Sequence, residues 1–156
     1  MSYPYTPEDP LKYWSYRYDA GNHEWHTETV NPLLVKYYGR LNPDGSVKKI
    51  LVTMCGMSVD MNWFVEKGLE VVGVDIALQG IKKYMSTSGH KWSESAAPQL
   101  GPDAQLFTVP GGSIDCVAPY IVTEMVQLSC IKLLDILSAI EPLDIVALLH
   151  MLIHYS

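Results

Sequence analysis

Residues Lys48 to Ile76, KKILVTMCGMSVDMNWFVEKGLEVVGVDI, decide the fold. An apolar run from Ile50 to Thr53 meets Gly56, and a helical stretch follows and stops at Gly68. A second β-branched run, Val71 to Val74, ends on Asp75, nineteen residues after Gly56. Strand, turn, helix, strand and acid predict a parallel βαβ unit. Such a unit brings the C-terminal ends of both strands to one sheet edge, where open α/β folds bind ligands. A glycine lets backbone approach the ligand, and an acid ending the second strand can accept hydrogen bonds from both ribose hydroxyls. Gly56 and Asp75 therefore predict an adenosine site. The stretch has no GxGxxG, so no glycine-rich turn is placed to cradle a pyrophosphate on a helix N-terminus. S-Adenosylmethionine carries ribose and adenine without phosphate and fits what is present.

Working outward, 156 residues of which 48% are hydrophobic suit one domain with a substantial core. The net charge is -6 and the eleven Lys and Arg are scattered, which argues against a nucleic-acid partner. Three scattered cysteines, Cys55, Cys116 and Cys130, fit a reducing cytoplasm and provide no disulfide framework or CxxC metal site. The opening MSYPYTPEDP has neither a basic nor an apolar leader segment, so no secretory signal is expected. The longest apolar stretch, Cys116 to Ile140, is interrupted by Glu124, Gln127, Lys132 and Asp135, which excludes a membrane span. His23 and His26 are three apart, and His150 and His154 are four apart, a spacing that puts the second pair on one helix face. No nearby acid or cysteine completes either set, so a structural role is expected and no metal site.

Residues 1 to 10 hold three prolines and read as a flexible arm, with one domain over 11 to 156. Between Leu11 and Trp25 aromatics crowd together, and Trp14 and Tyr18 are four apart and share a helix face. They suit either a stripe against the sheet or a lid over a cofactor. Asn31 as N-cap and Pro32 at the first position open a helix through Tyr38 to Gly39, and Asn42 to Ser46 form a turn. Ser58 can cap the next helix, with Asp60 in its first turn. A further helix is expected over Leu78 to Met85, then a long polar loop from Gly89 to Pro102. Residues 104 to 109 and 114 to 118 read as a hairpin through Gly111 and Gly112. Beyond Pro119 the pattern reads as helix, broken at Pro142.

VNPLLVKYY (Val30 to Tyr38), MCGMSVDMNWFVEKGLEVVGVDI (Met54 to Ile76), the pair Gly80 and Ile81, and WSES (Trp92 to Ser95) occur in order and at family spacing. Together they resemble the thiopurine S-methyltransferase family over roughly residues 11 to 115. The resemblance implies an α/β fold, a Rossmann-like class I methyltransferase three-layer sandwich with an incomplete sheet. It also implies S-adenosyl-L-methionine as methyl donor, and methyl transfer to sulfur of small aromatic or heteroaryl thiols in a cytoplasmic monomer.

Position by position, the resemblance makes Trp14 the start of the cofactor-covering segment, with Tyr18 on the same face, and sets Trp25 beside the substrate. Met54 and Gly56 become cofactor contacts, Asp75 the ribose-binding acid, and Ile121 a flank of the adenine. No residue is nominated as a catalytic base. Methyl transfer from a sulfonium is an in-line displacement, and thiols of pKa near about 8.5 or below supply thiolate themselves. Alignment is then the main catalytic contribution. The family pattern departs at Thr53 and Met57, where members carry proline and lysine, and a later Trp-Asp-Arg block has no counterpart. The resemblance thus implies a divergent member shortened at its C-terminus: either a methyltransferase or an inactive module that binds only cofactor or a partner.

Overall fold

The computed structural model describes residues 9–118 and the backbone of strand 146–150. Helices α1 (Pro10–Asp19) and α2 (Pro32–Leu41) precede strand β1 (Lys49–Thr53), helix α3 (Asp60–Glu66), strand β2 (Glu70–Val74) and helix α4 (Leu78–Thr87). Strands β3 (Ser93–Ala96), β4 (Gln105–Thr108), β5 (Ile114–Ala118) and β6 (Val146–His150) follow, with a 3₁₀ turn at Pro98–Leu100.

The described strands form one sheet in the order β3-β4-β5-β2-β1-β6. β5, β2, β1 and β6 run parallel, while β3 and β4 are antiparallel additions at one edge. From β1 the chain steps through β2 to β5 in one direction, and β6 joins β1 on its other side. The order therefore reverses at β1, and the crevice beyond the C-terminal end of that strand is the switch point where α/β sheets take ligands. This is a Rossmann-like α/β arrangement.

Alternation along the strands explains the layers. Ile50, Val52, Val71, Ile114 and Cys116 face one side, where they bury Met61 and Phe64 of α3 and Ile81, Tyr84 and Met85 of α4. Leu34, Tyr38 and Leu41 of α2 rest on the same core. Leu51, Val72, Val74 and Val117 face the other side, against Ala97, Leu100 and Ala104. A parallel sheet must be covered on both faces, which accounts for these near-continuous apolar strands.

The helix boundaries follow from the caps. Asn31 accepts from the Leu33 N–H, with Pro32 at the first helical position, and α2 runs two residues past Gly39 to Leu41. α1 starts at Pro10, capped by the Asp9 carboxylate, which accepts from the Lys12 N–H. Ser58 Oγ accepts from the Asp60 N–H at 3.2 Å, and the Asp60 carboxylate accepts from the Asn31 N–H at 2.9 Å, tying the start of α2 to that of α3.

Two sequence readings are corrected. The expected loop from Gly89 to Pro102 contains β3 and the 3₁₀ turn. All four residues of β3 are exposed, so backbone pairing with β4 makes this strand and no buried alternation announces it. The helix expected beyond Pro119 is replaced at Val146–His150 by β6. His150 ends that strand rather than lying on a helix face, and His154 falls outside the described residues.

Candidate adenosine site and its aromatic cap

The turn leaving β1 is bent sharply by two left-handed residues, Met54 at φ 52° and Gly56 at φ 46°. For a non-glycine residue that conformation costs about 1–2 kcal/mol, so the half-buried Met54 is held under strain by its surroundings. The bend aims the Gly56 N–H at the end of β2, where Asp75 Oδ2 accepts it at 2.8 Å. Asp75 Oδ1 accepts from the Ala77 N–H, also at 2.8 Å. One carboxylate thus joins the turns after both strands. Only 8% of Asp75 is exposed, and burial pushes its pKa up to about 6 against the lowering effect of its two N–H donors. At neutral pH it is mostly ionised, with lone pairs left for hydroxyl donors.

A cap closes over this turn. Tyr18 of α1 sits against both Gly56 and Gly80: a Cβ on Gly56 would lie 2.1 Å from its hydroxyl, and one on Gly80 would lie 2.6 Å from its Cζ. Both positions must be glycine for the ring to seat, which gives the Gly80–Ile81 pair a physical meaning. The Tyr18 hydroxyl and His26 Nε2 are 2.6 Å apart. Burial, then His23 and Lys83, lowers the His26 pKa to about 4, while burial, then the Asp75 charge, drives the phenol far above its ordinary value. The imidazole is therefore neutral and the phenol donates to it.

The rest of the cap is cross-braced. Trp25 meets Trp14 edge-on at 5.3 Å and Tyr18 at 5.8 Å. Arg17 lies over the Trp25 ring at 4.6 Å, and its Nε donates to the Asn22 carbonyl at 2.8 Å. The Lys83 ammonium of α4 donates to His23 Nε2.

The structure thus brings together Gly56, Asp75 and Tyr18, with Met54 in the same turn and Trp14 and Trp25 behind Tyr18 in the cap. Ile121 lies outside the described residues. One face of Trp25 is taken by Arg17. Sequence reasoning missed His26 and Lys83. The His23–His26 spacing was visible and a structural role was expected for the pair; the partners that give it one, Tyr18 for His26 and Lys83 for His23, were not. Among the described residues no group of three or more side chains suits a metal ion. A polar cleft lined by Lys49, Glu70, Gly112 and Asp115 lies at the opposite, N-terminal ends of the strands, away from this chemistry. None of the described helices is long and apolar enough to cross a membrane.

A strand-order reversal, a strained turn and a buried acid ending the second strand mark the candidate site of a Rossmann-like α/β protein. The thiopurine S-methyltransferase family model matches residues 10–112, and the chain belongs to that family. It is similar to the thiopurine S-methyltransferase of Equus caballus, 30% identical over 104 residues, covering 67% of this chain and 42% of that protein. Against the thiopurine S-methyltransferase of Pseudomonas syringae pv. tomato it is 32% identical over 108 residues, covering 67% and 45%. The chain spans less than half the length of these curated relatives.

Proposed function

We propose that this chain binds S-adenosyl-L-methionine at the end of β1 and β2 and serves methyl transfer to the sulfur of small aromatic or heteroaryl thiols. The carrying observation is Asp75, a buried carboxylate fixed by the Gly56 and Ala77 N–H groups at the switch-point edge. Family membership supports the chemistry. The group fits the residues present. Asp75 offers acceptors to a ribose diol, and the cap, with its Tyr18 ring seated on Gly56 and Gly80, supplies aromatic walls. When bound, S-adenosylmethionine supplies an electrophilic methyl group.

The protein's share is alignment and exclusion of water. Asp75 fixes the ribose, and the turn from Met54 to Gly56 sets the position of what lies above it. The latched cap of Trp14, Tyr18 and Trp25 shields the reacting centre, and the family resemblance sets Trp25 beside the incoming thiol. No side chain needs to act as base, because an aryl thiol supplies its own thiolate. The reading includes a monomer working in a reducing cytoplasm, which the scattered cysteines suit.

Calorimetric titration with S-adenosylhomocysteine tests the cofactor reading: heat is expected for the wild type and its loss for Asp75→Ala. No heat with the folded wild type would end the proposal. Transfer of a radiolabelled methyl group to aryl thiols above background then separates an enzyme from a binding module.

A further inference from the structure

The space above Gly56 is already taken. A Cβ built there would lie 2.1 Å from the Tyr18 hydroxyl and 2.8 Å from His26 Cε1 and Nε2, whereas carbon atoms in contact stand about 3.5–4.0 Å apart. A space that cannot take one carbon cannot take a ligand. The same two side chains hold each other in place through the 2.6 Å bond between hydroxyl and imidazole. Asp75 lies against the same glycine: its carboxylate accepts the Gly56 N–H, it is nearly all buried, and after burial its charge is the next cause that keeps the Tyr18 phenol protonated. A ribose reaches this acid only if Tyr18 leaves.

The cap has a place to bend. α1 packs on α4, where Gly80 takes the Tyr18 ring and Lys83, three residues on and on the same helix face, donates to His23 Nε2. The far end of the cap is pinned, because the Asn31 N–H donates to Asp60 of α3 at 2.9 Å. Between these latches and that pin, Thr27, Glu28 and Thr29 are exposed and lie in neither helix nor strand, with Thr27 Oγ1 donating to the Thr29 carbonyl at 2.7 Å. Exposed backbone of this kind opens at low cost.

We propose that Tyr18 and His26 are an internal occupant of the ligand edge: the free protein blocks itself, and the cap must swing about Thr27 to Thr29 before an adenosyl ligand reaches Asp75. The inference rests on the adenosyl-binding reading above. Measured affinity is then the intrinsic affinity reduced by the open fraction, so weakening the closed cap tightens binding. Calorimetric titration with S-adenosylhomocysteine compares the wild type with Tyr18→Phe, which loses the bond to His26, and Lys83→Met, which loses the latch to His23. Tyr18→Phe is expected to bind about fivefold more tightly, the worth of one net hydrogen bond, while its ligand-free melting temperature falls. Lys83→Met is expected to shift both readings in the same direction by a smaller factor. A residue that only braces the fold would lower the melting temperature without tightening the ligand, and one that lines the bound ligand would weaken it. Tighter binding by Lys83→Met alone still supports the inference, since that variant leaves the phenol in place. Unchanged or weaker binding by both folded variants overturns it and leaves the cofactor reading intact. A wild type that gives no heat overturns both.

Discussion

Replacing Gly56 with alanine sets two local penalties against the cap, and they can be separated. The first is conformational: φ at Gly56 is 46°, and an L-residue there costs about 1–2 kcal/mol. The second is steric. The new Cβ would lie 2.1 Å from the Tyr18 hydroxyl and 2.8 Å from His26 Cε1 and Nε2, far inside contact distance. Tyr18 cannot simply slide aside along α4, because its ring also rests on Gly80. It must retreat and break the 2.6 Å bond to His26, leaving a buried partner unpaired at about 1–3 kcal/mol. Gly56→Ala should thus cost about 2–5 kcal/mol, a large part of the 5–15 kcal/mol typical of a domain.

Tyr18→Phe removes the clashing atom and releases His26, at a cost of about 1 kcal/mol for the hydrogen bond. The double variant should then be only about 2–3 kcal/mol less stable than wild type, a coupling of about 1–3 kcal/mol in its favour. Urea unfolding followed by tryptophan fluorescence measures all four corners of the cycle, with unchanged m-values as the check on two-state behaviour. Additive losses within about 0.5 kcal/mol would refute the seating of Tyr18 on Gly56.

The pH dependence should carry two opposed contributions. The Asp75 pKa is raised from 3.8 to about 6, so its contribution to stability is full below the lower value and is lost as pH rises toward the upper one, by about 3 kcal/mol for a group this buried. The His26 pKa is lowered from 6.5 to about 4, so its contribution is present above 6.5 and is lost as pH falls through that window. In urea midpoints between pH 4 and 8, Asp75→Asn should leave only the loss on acidification, and His26→Gln only the loss on the way up; identical profiles would contradict both. S-Adenosylhomocysteine affinity should weaken below about pH 6 as the Asp75 acceptor protonates, read by titration at pH 5 and 7.5. Lys83→Met frees His23 and should speed proteolysis between Ala20 and Thr29 while lowering stability by less than about 1 kcal/mol. Met54→Val puts a β-branched residue at φ 52° and should cost about 1–2 kcal/mol in the same unfolding assay.

What could be read from the chain is what is local. β1, α3 and β2 lie within one stretch, and each is marked by its own apolar period and by a glycine with positive φ at Gly68 just after the helix. α2 is marked by an asparagine cap and an adjoining proline, and the structure places both where the sequence sets them. β6 failed for a physical reason. A parallel strand reads as a near-continuous apolar run, so VALLH shows no alternation and cannot be told from a buried helix by pattern alone. β3 failed in the opposite way, since four exposed residues at a sheet edge are held by main-chain bonds that any sequence can make.

The site divides along the same line. Gly56 and Asp75 were legible because one βαβ unit fixes both, nineteen residues apart. The parts of His26 and Lys83 were not, because they depend on where a segment before β1 comes to rest against a helix after β2. The contact between Lys83 and His23 spans 60 residues and leaves no periodic trace. Even so, the cap's landing place is written into the chain twice, as the two glycines on which one tyrosine ring seats. Gly56 holds a positive φ in the turn after β1, and Gly80 lies in the first turn of α4, where alanine would be favoured by about 1 kcal/mol. A helical glycine against its own propensity is explained by the Tyr18 ring that a methyl group would displace. The same pair of missing side chains therefore makes one seat for the Tyr18 ring, across the turn after β1 and the first turn of α4.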